Sequence, residues 1–144
     1  MGSTSAVTLL LIAALAVACD QSGTEIVITA ASRCHYEGPS EIAAGERDVV
    51  VFGEAQADFY LIDDRTSYES IVDHYDVEGA THHPPGATRM FDVANHPHLH
   101  NDRSAQNGTS ETISFAPGTY AVVCEWSSGD QGGRVVVSRL DVTR

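Results

Sequence analysis

Lysine is missing from this chain of 144 residues: all eight basic side chains are Arg, set against 20 Asp and Glu for a formal net charge of −12. A surface of that sign repels phosphate backbones and anionic headgroups, which argues against nucleic acid as a partner. The lysine deficit itself fits a G+C-rich genome. No apolar run reaches the about 20 residues that a bilayer-spanning helix needs. A Gly-x-Ser-x-Gly elbow, a phosphate-cradling glycine loop, a His-Glu-x-x-His motif and a Cys-x-x-Cys motif are all absent, so nothing assigns a nucleophile or an acid–base pair. The expectation is a protein that is not an enzyme. Length leaves room for one domain with one apolar core.

What is present begins with residues 6–18, thirteen residues that are apolar apart from Thr8 and end in Leu15-Ala16-Val17-Ala18-Cys19. Such a run reads as a signal segment. The small residues before Cys19 resemble the bacterial lipobox, although Ala16 stands where leucine is usual and no Lys or Arg precedes Ala6. The expected organisation is a lipoprotein signal peptide over 1–18, a polar tether over 19–24 and one domain over 25–144. Cys19 would be acylated (palmitate or a related chain), anchoring the exported domain to the outer face of the cytoplasmic membrane. An ordinary secretory signal with an incidental cysteine is the alternative.

With Cys19 spent on lipid, Cys34 and Cys124 remain, 90 positions apart. An even pair in an oxidising compartment favours a disulfide, with two buried thiols as the competing reading.

Turn signals at Gly38-Pro39, Gly45, Gly53, Pro84-Pro85-Gly86, Asn107-Gly108, Pro117-Gly118 and Gly132-Gly133 cut the chain into short pieces. Between them, residues 25–30, 48–52, 57–62, 111–115, 119–125 and 134–142 are rich in Val, Ile, Phe and Tyr and read as strands. In 119–125 the period of two puts Tyr120, Val122 and Cys124 on the core face. Thr66 and Glu69 fit a capping box, and Tyr68, Ile71, Val72 and Tyr75 recur at helical spacing, so one short helix ending near Gly79 is expected to dock on the sheets. Residues 80–107 read as a long loop with Met90-Phe91-Asp92-Val93 as a short strand. The fold class is all-β, a β-sandwich with one inserted helix.

Two segments carry a resemblance. Tyr36-Glu37-Gly38-Pro39-Ser40-Glu41-Ile42-Ala43-Ala44-Gly45 and Ala116-Pro117-Gly118-Thr119-Tyr120 followed by Cys124 are similar to the cupredoxin-like domains of exported, actinobacterial-type lipoproteins. The resemblance spans about residues 25–142 and implies the Greek-key, cupredoxin-like β-sandwich of plastocyanin and its relatives. It places Cys124 where that family has its copper thiolate. The family's following histidine and methionine are missing from Glu125-Trp126-Ser127-Ser128-Gly129-Asp130-Gln131-Gly132-Gly133, and the strand near Asp58 has no histidine. A blue-copper centre needs those ligands together, so electron transfer is not expected.

Histidine is concentrated instead in Asn95-His96-Pro97-His98-Leu99-His100-Asn101-Asp102, with His82-His83 before it. On extended backbone His98 and His100 share a face and can hold one Zn²⁺ or Cu²⁺ with a third ligand from His82, His83 or Asp102, whereas His96 lies about 13 Å from His100. Solvated loop residues are the bland alternative. A pH sensor among carboxylates such as Asp92 and Asp102 is the third. The expected function is a non-catalytic, lipid-anchored binding or structural module with no bound cofactor, recognising a protein or small ligand through residues 80–102; the alternative is an exported metal buffer or chaperone.

Overall fold

The computed structural model describes residues 25–77, 82–95, 108–128 and 131–144. Its strands, in chain order, are β1 Ile26–Ala30, β2 Cys34–Glu37, β3 Glu41–Ala43, β4 Gly45–Phe52, β5 Ala55–Ile62, β6 Thr88–Asn95, β7 Thr109–Phe115, β8 Gly118–Ser128 and β9 Gln131–Thr143, with helix α1 Tyr68–Asp76 between β5 and β6. They form two sheets, ordered β2-β1-β4-β7 and β3-β9-β8-β5-β6. The all-β sandwich with one short helix is therefore the observed architecture.

Alternation along the strands builds the core. Ile26 and Ile28 of β1, Val49 and Val51 of β4 and Phe115 of β7 face Ala57 and Phe59 of β5, Val93 of β6, Tyr120, Val122 and Cys124 of β8 and Leu140 of β9. Phe59, Phe91, Phe115 and Tyr120 meet edge-on or tilted, with the Phe91–Phe115 centroids 4.9 Å apart, a favourable arrangement for quadrupolar rings. The Tyr120 hydroxyl, whose pKa burial raises, donates to the Ala116 carbonyl oxygen at 2.9 Å.

Helix α1 covers the outer face of the second sheet, where Ile71 and Tyr75 pack on Tyr60, Ala121 and Val123. Its cap differs from the expected one. Ser67, not Thr66, accepts the Ser70 backbone N–H at 3.1 Å. Thr66 is used one residue earlier, buried in the turn where its own N–H donates to the Asp63 carbonyl oxygen at 3.3 Å. The helix closes at Val77, which is extended.

The long loop expected over 80–107 also differs, because eight of its residues form β6 at the edge of the second sheet. A bulge hides that strand from an alternation test: Phe59 faces Phe91, the next residue Tyr60 faces Arg89, and Met90 is left over, 45% exposed.

The register defines two ends. At the upper end lie the β4–β5 turn, the close of β6 at Asn95, the start of β7 and the β8–β9 turn. Asn95 ties three of these together, donating to the Gly53 carbonyl oxygen at 2.7 Å and accepting from Thr109 Oγ1 at 2.9 Å. Gly53 there has φ +81°, and a Cβ would stand 2.0 Å from the Ala30 carbonyl oxygen, so no other residue fits. At the lower end lie the approach to α1, β3 and the close of β9. The five residues of β1 climb about 13 Å toward the upper end.

Candidate functional site

The expected cysteine pair is joined. Cys34 at the start of β2 and Cys124 in β8 form a disulfide with a Cα–Cα distance of 6.1 Å, linking the two sheets. The Cys124 sulfur is thus oxidised and cannot act as a thiolate ligand.

Two of the described histidine rings have polar contacts. The His83 Nδ1 lies 2.5 Å from the Tyr60 hydroxyl, and the His82 carbonyl oxygen is 2.8 Å from His74 Nε2. Adjacent residues thus secure the segment after α1, one ring toward the sheet and one carbonyl toward the helix. His98, His100 and Asp102, and likewise Cys19, lie outside the described residues. The chain leaves β6 at Asn95 on the upper end, whereas His83 sits beside Tyr60, opposite Arg89; the strand between spans about 20 Å. Among the described residues no three His, Cys, Asp or Glu side chains converge as a metal site.

Sequence reasoning missed two polar constellations. The first lies under α1, on the face of β5 that carries Gln56, Asp58 and Tyr60. Asp58 is 1% exposed; its Oδ1 accepts from Gln56 Nε2 at 2.8 Å and from Arg89 Nη1 at 3.1 Å, while its buried Oδ2 has no partner. Burial alone disfavours the charged Arg89 guanidinium, and the hydrogen bond and charge of Asp58 more than offset this, so its pKa is raised. Tyr60 and Tyr75 share a hydroxyl contact at 3.2 Å. Burial pushes both phenols above their ordinary range; for Tyr60 the hydrogen bond with Tyr75 and the charge of Asp58 add to it. With both phenols neutral, the chain Tyr75–Tyr60–His83 runs in one of two directions set by the His83 tautomer. Tyr60 and Tyr75 are buried, which makes this cluster a polar pin for the helix rather than a surface open to substrate. Its signal in the sequence was the polar residue at every second position of β5.

The second constellation is a cleft of about 110 Å³ at the upper end, lined by Glu54, Ala55, Gln56, Glu125, Trp126 and Ser127. Its rim is tied by the Ser127 N–H donating to the Glu54 carbonyl oxygen at 3.0 Å. Trp126 faces two small cross-strand partners, Ala55 and Gly133, and a Cβ on Gly133 would come within 2.9 Å of the indole. The Glu125 carboxylate is held by Arg134 through Nη2 at 2.6 Å and Nε at 2.8 Å. Sequence reading treated Glu125-Trp126-Ser127 only as a place where copper ligands were missing. Alternation turns the Trp126 indole with Ala55 toward the core and Gln56 and Glu125 to the other face, so this small cleft at the sheet's upper end, with its tied rim, is a polar candidate site. No protein-family model, curated protein or solved structure matches the chain.

Proposed function

We propose that the protein is an exported, lipid-anchored, non-catalytic binding module built on a cupredoxin-like Greek-key sandwich. The observation that carries this reading is the Cys34–Cys124 disulfide. It supports an oxidising compartment, in line with the signal segment before Cys19, and it removes the sulfur that copper chemistry would require. The sheet order, with β1 parallel to β4 and the chain passing between sheets at β2–β3, β3–β4, β4–β5, β6–β7 and β7–β8, supports the Greek-key likeness.

The test is fractionation of cells making the full chain and its Cys19→Ser variant. The wild type should stay with membranes through an alkaline carbonate wash and the variant should not. Equal release of both would reject the anchor.

A further inference from the structure

Among the described strands the sandwich has four sheet edges, β2 and β7 in one sheet and β3 and β6 in the other. Three of them are blunted. β2 has four residues and is held by the disulfide at Cys34, β3 has three residues, and β6 carries the bulge that leaves Met90 over. β7 has none of these devices: its seven residues pair with β4 from Thr109 to Phe115 without a register shift, and it contains no proline and no basic residue. Every second residue therefore turns its N–H and carbonyl oxygen away from β4, toward a side on which no described strand lies. We propose that this edge pairs with β7 of a second copy of the chain, antiparallel about a two-fold axis at Thr112.

The sequence of the strand favours its own copy. A two-fold at Thr112 is the register that pairs all seven residues, setting Thr112 against Thr112, Ser110 against Ser114, Thr109 against Phe115 and Glu111 against Ile113. The outer face of the joint is then a row of opposed hydroxyls, a favourable cross-strand pairing. Glu111, the one charged residue of β7, meets Ile113; a two-fold at Glu111 would instead set two carboxylates face to face. Phe91 of β6 packs on Phe115 with centroids 4.9 Å apart, so β6 and β7 share one side of the sandwich, and Met90 next to Phe91 is 45% exposed. Its thioether adds apolar surface beside the ladder. Each copy carries a net charge of −12, so pairing works against long-range repulsion and strengthens with added salt.

Cross-linking reads the register directly. Opposed residues of an antiparallel pair have Cα atoms about 4.5–5.5 Å apart, inside the range a disulfide spans. Ser110 and Ser114, four residues from their opposed copies, would each lie about 14 Å from themselves across the axis. The full chain is made as Thr112→Cys, Ser110→Cys, Ser114→Cys and Asp73→Cys, all at exposed positions, with Asp73 on α1 as the control surface. Each is extracted in detergent, checked for native circular dichroism and oxidised with copper phenanthroline beside the unmodified chain. Thr112→Cys should give a disulfide-linked product of twice the chain mass that the other variants and the unmodified chain lack, its yield rising with sodium chloride. No such product, equal yields at all four positions, a yield that falls with salt, or a product joining position 112 to a different polypeptide would overturn the proposal. Membrane retention of the unmodified chain holds or fails independently of this edge.

Discussion

The two outer faces of the sandwich follow different rules. On the second sheet, α1 seals Tyr60, Ala121 and Val123, and a buried carboxylate, a guanidinium, two phenols and an imidazole are drawn in beside them. On the first sheet no described element covers the outer face, where Ser110 and Thr112 of β7 stand opposite Val50 and Asp48 of β4. Here polar contacts are exposed and local, such as Thr112 Oγ1 donating to Asp48 Oδ1 at 2.7 Å. The lesson is energetic: a hydrogen bond on the covered face keeps a desolvated group satisfied, while one on the open face competes with water.

The largest expected effect acts on both faces at once, because the disulfide joins the sheets beneath them. Cys124→Ala, or reduction, should lower stability by up to about 4–5 kcal/mol by loop-closure arithmetic for residues 90 apart, read as a shift in the urea midpoint. On the covered face, Arg89→Ala leaves buried Asp58 without its cation and should cost about 2–3 kcal/mol, less than for a fully buried pair because the guanidinium is partly screened by solvent. Tyr60→Phe removes the hydroxyl shared by Tyr75 and His83 and should cost about 1–3 kcal/mol. On the open face, Thr112→Val should change stability by no more than about 0.5 kcal/mol. Equal losses from Arg89→Ala and Thr112→Val would erase the distinction between the faces.

Alkaline titration sharpens the same contrast. Tyr36, Tyr60, Tyr75 and Tyr120 all have phenols raised first by burial; Tyr36 is pushed up to about 12, its hydrogen bond to Ser138 pulling the other way. The folded state keeps these protons where an unfolded tyrosine, with a pKa of about 10, has lost them. Stability is therefore untouched below about pH 10 and falls as pH rises past it, the Tyr36 contribution disappearing only above its folded value. Absorbance near 295 nm should show these phenols ionising with unfolding; ionisation before any loss of circular dichroism would contradict their burial.

Much of the fold was legible because hydrophobic pattern reports how many layers cover a strand. β8 reads Tyr120-Ala121-Val122-Val123-Cys124 without a break because both its faces are buried, and β7 alternates Ser, Thr and Ile because only one is. The disulfide was legible from the even pair of cysteines left after Cys19 and from the oxidising compartment that the signal-like segment led us to expect. Sequence reading found only the middle of β6, Met90 to Val93, because its bulge disguises the rest, and it missed β2 and β3, four and three residues long. The cleft and the Asp58 cluster were hidden for a different reason: Gln56 reaches Glu125, and Asp58 reaches Arg89, only through cross-strand register, which residue spacing along the chain does not encode.

The three cysteines allow one direct measurement of the central claim, that this is an anchored export domain with a disulfide where a copper thiolate would stand. Membrane-extracted protein is denatured without reductant and its reactive thiols are counted. The account requires none, because it proposes a lipid on Cys19 and Cys34 is bonded to Cys124. A single thiol would remove the lipid anchor, and two or more would remove the disulfide on which the functional reading rests.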